Sequence, residues 1–134
     1  MRQLRVVNTR QNQELGTRIG LADGWLGRLR GMLARPAPCA GEGLLLTPCR
    51  SVHMYGMRFP LDVAFLDARG AVVASYPSLR PGGRTRWHRQ AVHALELPAG
   101  TLADSGTVVG DTLVWSPESV SPAQAGLRNA EVAS

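Results

Sequence analysis

The stretch GMRFPLDVAFLDARGAVV, residues 56–73, decides the fold class. Leu61 to Leu66 has strand composition, Asp67-Ala-Arg-Gly70 has turn chemistry, and Ala71 to Ser75 completes a β-hairpin. In an extended chain Asp62 shares a face with Ala64 and Leu66, while Leu61, Val63 and Phe65 share the other. Working outward, QLRVV (3–7) reads as an edge strand and Glu14 to Leu21 as its partner across a polar connection. Gly43 to Thr47, Ser51 to Tyr55 and Ala91 to Leu97 read as further short strands. Gly100 to Ser105 reads as one helical turn, and Gly110-Asp111 as the bend into a last strand, Thr112 to Trp115. Trp25, Leu26, Leu29, Met32 and Leu33 have the spacing of one helix face, with Asp23 as N-cap and Pro36 and Pro38 as the stop. The expected fold is α+β: a compact β-rich domain, an antiparallel sheet or small barrel of about seven or eight short strands, with one principal helix. Residues 1–115 form the expected single globular domain, and residues 116–134, rich in Ala and Ser, a frayed tail.

Composition narrows the function classes. At 134 residues and 44% hydrophobic content, the chain suffices for one core and not for two. No apolar run approaches the ~20 residues of a spanning helix, and the start lacks the apolar segment of a secretory signal, so a cytoplasmic location is expected. Two cysteines are too few for a disulfide scaffold. All 15 basic residues are Arg, and the formal net charge is +5. Their distribution is uneven: residues 68–95 hold five Arg and no carboxylate. Four of these fall in LRPGGRTRWHRQ (79–90), where Pro81, Gly82 and Gly83 break regular structure. Arg80, Arg84, Arg86 and Arg89, with Trp87 and His88 among them, therefore make a candidate anion-binding loop; guanidinium groups bind phosphate or carboxylate in bidentate fashion.

Several ordered motifs carry a family resemblance. GMRFPLDVAFLDARGAVV, then LRP (79–81), ALELPAG (94–100) and GD (110–111), with RLRGMLAR (28–35) upstream, resemble the bacterial and archaeal domain of unknown function 192 over residues 16–115. The resemblance implies a compact β-rich fold with one principal helix and supplies no catalytic residues. Members often carry an export signal, and some stand beside pilus or secretion genes, which implies an accessory role to such machinery for a cytoplasmic member. SVHMYGM (51–57) departs from the family's aromatic-Met-Lys-Asn run, with His53, Tyr55 and Gly56 in the matching places.

Individual residues allow several chemistries. Asp62, and Glu96 on the strand face of Val92 and Ala94, could form an acid–base pair if both line one pocket; the structural alternative is a carboxylate held by Arg30 or Arg58. Cys39, Cys49 and His53 are weak metal-ligand candidates that lack a fourth donor, and a Cys–His nucleophile lacks a third group. His53, Met57 and Arg58 could form a recognition surface. There is no P-loop, no dinucleotide fingerprint and no aromatic RNA-binding run, and only 5% of residues are aromatic. No cofactor or metal is expected. The leading expectation is a non-enzymatic binding or accessory domain that holds an anionic small molecule or protein segment at His53, Met57, Arg58 and the Arg80–Arg89 loop. The second is a small hydrolase or isomerase using Asp62 and Glu96. The third is nonspecific nucleic-acid binding through the arginine excess.

Overall fold

A computed structural model describes residues 3–23 and 36–117. Among these residues the strands number seven: β1 (Gln3–Asn8), β2 (Gln13–Asp23), β3 (Glu42–Thr47), β4 (Leu61–Leu66), β5 (Val72–Leu79), β6 (His93–Pro98) and β7 (Leu113–Pro117). One short helix, α1 (Thr101–Asp104), lies between β6 and β7. The strands form a single sheet in the order β5-β4-β6-β3-β2-β1-β7. The β1–β2 and β4–β5 hairpins are antiparallel, as their turn chemistry predicts. In the second turn the Asp67 carboxylate accepts the backbone N–H groups of Arg69 and Ala71, each at 2.9 Å. β2 and β3 pair in parallel, a departure from the all-antiparallel expectation; a parallel pair needs a crossover, and residues 24–41 connect the two strands.

The sheet curls until its two edges meet. Ala71 bridges Thr112, the Val72 N–H donates to the Asp111 carbonyl, and the Leu113 N–H donates to the Gly70 carbonyl. Gly70 sits at φ 85°, and a Cβ there would press into the Leu113 carbonyl oxygen, so this corner admits only glycine. Inside the curl, all seven strands contribute to one core: Leu4, Ile19, Leu45, Leu66, Leu95 and Leu113 are among its buried side chains. Strand β4 is buried at every position, because its second face also carries a core. There Leu61, Val63 and Phe65 pack with Leu44 and Leu46 beneath a cover that includes Val52 and Met54.

Three expectations need correction or placement. Ser51–Tyr55 is not a sheet strand: it leaves the sheet after the cis Thr47–Pro48 peptide and makes a single bridge, His53 to Arg84. Its apolar residues Val52 and Met54 are buried because they cover the sheet's second face, which gives a strand-like alternation without sheet membership. β7 continues through Ser116 and Pro117, which pair with Arg5 and Leu4, two residues past the expected end of the domain. The expected helix over Trp25–Leu33, with Arg30, and the rest of the expected tail lie outside the described residues.

Asp62 is fully buried and, among the described residues, pairs with no arginine. One carboxylate oxygen accepts the Ser78 N–H at 2.8 Å; the other accepts the N–H groups of Gly100 (3.1 Å) and Leu102 (2.8 Å). It thereby caps the otherwise unsatisfied first turn of α1 from a distant strand and ties down the end of β5. Asp62→Ala strips three backbone donors of their acceptor, and a loss on the order of 3 kcal/mol or more is expected in urea unfolding. Gly70→Ala is expected to cost about 1–3 kcal/mol by forcing the closing corner apart. A Gly70→Ala protein as stable as the parent would show that the corner is not closed in solution.

Candidate functional site

The cover over the second face is built from two excursions, residues 48–59 between β3 and β4 and residues 80–91 between β5 and β6. Backbone hydrogen bonds zip them together. The Met54 N–H donates to Gly83 O (2.7 Å), the Gly82 N–H to Met54 O (2.8 Å), the Thr85 N–H to Val52 O (2.9 Å) and the His88 N–H to Arg50 O (2.8 Å). Thr85 Oγ1 returns an acceptor to the Val52 N–H at 3.0 Å. The arginine loop thus converges on the HMYGMR segment and is anchored there despite its Pro-Gly-Gly start. Cys49, Val52, Met54, Thr85, His88 and Ala91 are buried, while His53, Tyr55 and the arginines of the ribbon face solvent.

That exposed side is cationic. Arg50, Arg58, Arg80, Arg84, Arg86 and Arg89 are all exposed, and neither excursion contains a carboxylate. The ion pairs among the described residues are Arg5–Glu14, Arg10–Asp111 and Arg18–Glu42, all elsewhere. None of the six is therefore neutralised by an acidic neighbour among those residues. Two aromatic side chains stand among them. Trp87 is 64% exposed, with the Arg50 guanidinium 6.0 Å from its ring centroid. Tyr55 is 51% exposed and stacks on His53, ring centroids 4.8 Å apart. Met57 is half-buried against the core beneath, where it supports the ribbon.

An open cleft of about 610 Å³ lies beside this ribbon, lined by Val73, Arg86, His88, Arg89 and Gln90. His88 Nε2 lies 2.6 Å from the Tyr76 hydroxyl, and its ring packs on Phe65 with centroids 4.5 Å apart. Burial, and secondarily the Arg86 charge, hold the His88 pKa below its ordinary value of 6.5. His93 is shifted the same way by burial, against the opposing pull of Asp67, and its Nδ1 lies 2.8 Å from the Thr47 hydroxyl. Sequence reasoning left out Tyr76 and gave His88 no role of its own. The Trp-His-Arg order does put His88 between exposed neighbours, but its pairing with Tyr76 arises only from the fold.

The two proposed catalytic carboxylates are not a pair. Asp62 stands opposite Leu97 and Glu96 opposite Val63 in the β4–β6 register, and directly opposed residues share a face. Asp62 therefore belongs to the face of Ala64 and Leu66, and Glu96 to that of Val63 and Ala94, as strand alternation predicts for each separately. Both are buried, at 0% and 2% exposure, so no one substrate reaches both. The metal candidates are likewise apart. Cys39 is exposed, with its N–H on the Glu42 carboxylate; the buried Cys49 thiol donates to Ser51 O at 3.2 Å; His53 is on Tyr55. No cluster of three or more metal-ligating side chains occurs among the described residues. Nor does any described helix have the length and apolar character to cross a membrane.

Fold and site define a curled seven-stranded β-domain with an arginine-bearing cover. The chain belongs to the DUF192 family, described as "Uncharacterized ACR", whose profile it matches over residues 6–115. A Sinorhizobium meliloti 1021 crystal structure, provisionally described as a transcription regulator, is similar at TM-score 0.69 and 22% identity, over 84% of this chain and 91% of that one. A protein of unknown function from Novosphingobium aromaticivorans DSM 12444 is similar at TM-score 0.71 and 21% identity, over 84% and 83%. At these identities the likeness is one of fold. No curated protein matches the chain.

The lowered histidine pKa values carry a sign. The unfolded chain takes up protons near pH 6.5 that folded His88 and His93 refuse, so acidification favours unfolding. Stability is expected to fall as pH drops from about 7.5 to about 5.5, levelling off below the folded-state values. His88→Asn should give a shallower slope of urea midpoint against pH; an unchanged slope would remove His88 from the account.

Proposed function

We propose that this protein is a non-enzymatic binding domain whose arginine-bearing cover takes up an anionic ligand. The observation that carries this reading is the convergence of six exposed arginines on a hydrogen-bonded ribbon without a carboxylate. Like charges gathered on one surface repel one another, and a bound anion relieves that repulsion. The zipped backbone also preorganises the guanidinium groups, which lowers the ordering cost of binding. Asp62 and Glu96, buried on opposite faces, give no support to a hydrolase or isomerase reading.

Inorganic polyphosphate is a suitable probe because it carries anionic groups and nothing else. In titration calorimetry at low salt, the parent protein is expected to bind it, with affinity falling steeply as salt is added. The Arg84→Glu/Arg86→Glu double variant should abolish binding while the thermal midpoint stays within a few degrees, since both side chains are exposed. Undiminished binding by that variant would overturn the assignment of this surface.

A further inference from the structure

We infer that the anionic ligand of this surface is a single-stranded nucleic acid, an inference that rests on the anion-binding reading above. The arginines alone select for charge; the aromatic side chains select for something with a flat π face. Among the described residues, Tyr55 and Trp87 are the two aromatics with more than a third of their surface exposed, and both lie on the arginine ribbon. Tyr76, Phe59 and Trp115 are partly covered, and Phe65 is fully buried. An exposed tryptophan beside arginines that have no acidic partner among the described residues is poorly placed for folding and well placed for stacking.

The two aromatic groups are presented differently, and both presentations suit bases. Arg50 packs over Trp87, yet the indole keeps 64% of its surface open, so a base can approach the uncovered side. His53 backs Tyr55, which orients the phenol ring while half of it remains free. Arg50 and Tyr55 are five residues apart, and even a fully extended run spans no more than ~18 Å over that interval. The stretch from Trp87's neighbour Arg50 to Tyr55 is thus short enough for a few nucleotides of one strand to reach both rings. Between the aromatics, His53 bridges Arg84, and Arg86 follows along the same segment, placing guanidinium groups where a sugar-phosphate strand would run. A cationic track interleaved with stacking rings is the common arrangement for sequence-tolerant single-strand binding. A duplex hides its base faces and would use the charges only.

The test is fluorescence anisotropy with a labelled oligo-dT 12-mer, run beside inorganic polyphosphate and a duplex of equal length, on the full chain. The parent is expected to prefer the single strand over the duplex, with quenching of tryptophan emission on binding. Trp87→Ala should weaken oligo-dT binding at least about fivefold, abolish most of that quenching, and leave polyphosphate binding unchanged. Tyr55→Ala should weaken it further, while circular dichroism confirms that both variants fold. Equal affinity for duplex and single strand, or oligo-dT binding indifferent to both substitutions, would overturn the inference and leave the anion-binding reading standing. Failure to bind polyphosphate as well would remove both.

Discussion

Asp62 is the interaction on which the arrangement depends. Its carboxylate is buried, has no counter-cation among the described residues, and is held by three backbone N–H groups from two separate places, the end of β5 and the turn into α1. A carboxylate so placed is stabilised only while all three donors stay aimed at it, and the donors are satisfied only while it stays in position. Ser78, held at a positive φ of 49°, is the penultimate residue of β5, and Gly100, at φ 100°, starts the turn into α1. One side chain on β4 therefore sets where β5 releases the chain into the arginine excursion and where β6 turns toward the closing strand. Shifts at this point would move both the cover and the barrel corner.

The cover in turn exists because β4 is apolar on both faces. A sheet that closes on itself needs one buried face; this one has a second, with Val63, Phe65, Leu44 and Leu46, that must also be shielded from water. The excursions supply the shield through Val52, Met54 and Ala91, and their backbone pairing satisfies the polar groups that an irregular cover would otherwise leave over an apolar surface. Having met that requirement with alternate residues, the ribbon has the intervening ones free. Those are the positions occupied by His53, Arg84 and Arg86.

Much of this was legible in the chain itself, for identifiable reasons. The two hairpins were readable because their determinants are local: an Asx-type turn at Asp67 and a polar connection after QLRVV. The face assignments of Asp62 and Glu96 were each correct, since alternation is a local property. Their supposed partnership failed because it required the β4–β6 register, which no local pattern encodes. The Ser51–Tyr55 segment was misread for a related reason: alternate burial arises against any flat apolar surface, whether the segment is a strand in the sheet or a lid upon it. The parallel β2–β3 pair was likewise invisible, because strand direction is a matter of connection and not of composition. Anchoring of the arginine loop was hidden by its Pro-Gly-Gly start, which reads as flexibility until the partner backbone at Val52 and Met54 is known.

The contrast between the two charge systems of the molecule bears on what the cover is for. Where charge serves the fold, it is matched: Asp111, nearly fully buried, accepts hydrogen bonds from Asn8, the Val108 backbone and Gln11, with Arg10 beside it, and these bonds, Asn8's first, hold its pKa below the usual carboxylate value. Arg5 and Arg18 likewise sit against Glu14 and Glu42. On the cover the matching stops. Two carboxylates placed along the ribbon would quench its repulsion at little structural cost, because its outward positions are free of packing constraints. Among the described residues their absence leaves like-charge repulsion, which works against stability, beside an exposed indole, which works against solubility. Both become favourable together only when a ligand with negative charge and flat rings is bound, so the surface is best understood by what completes it.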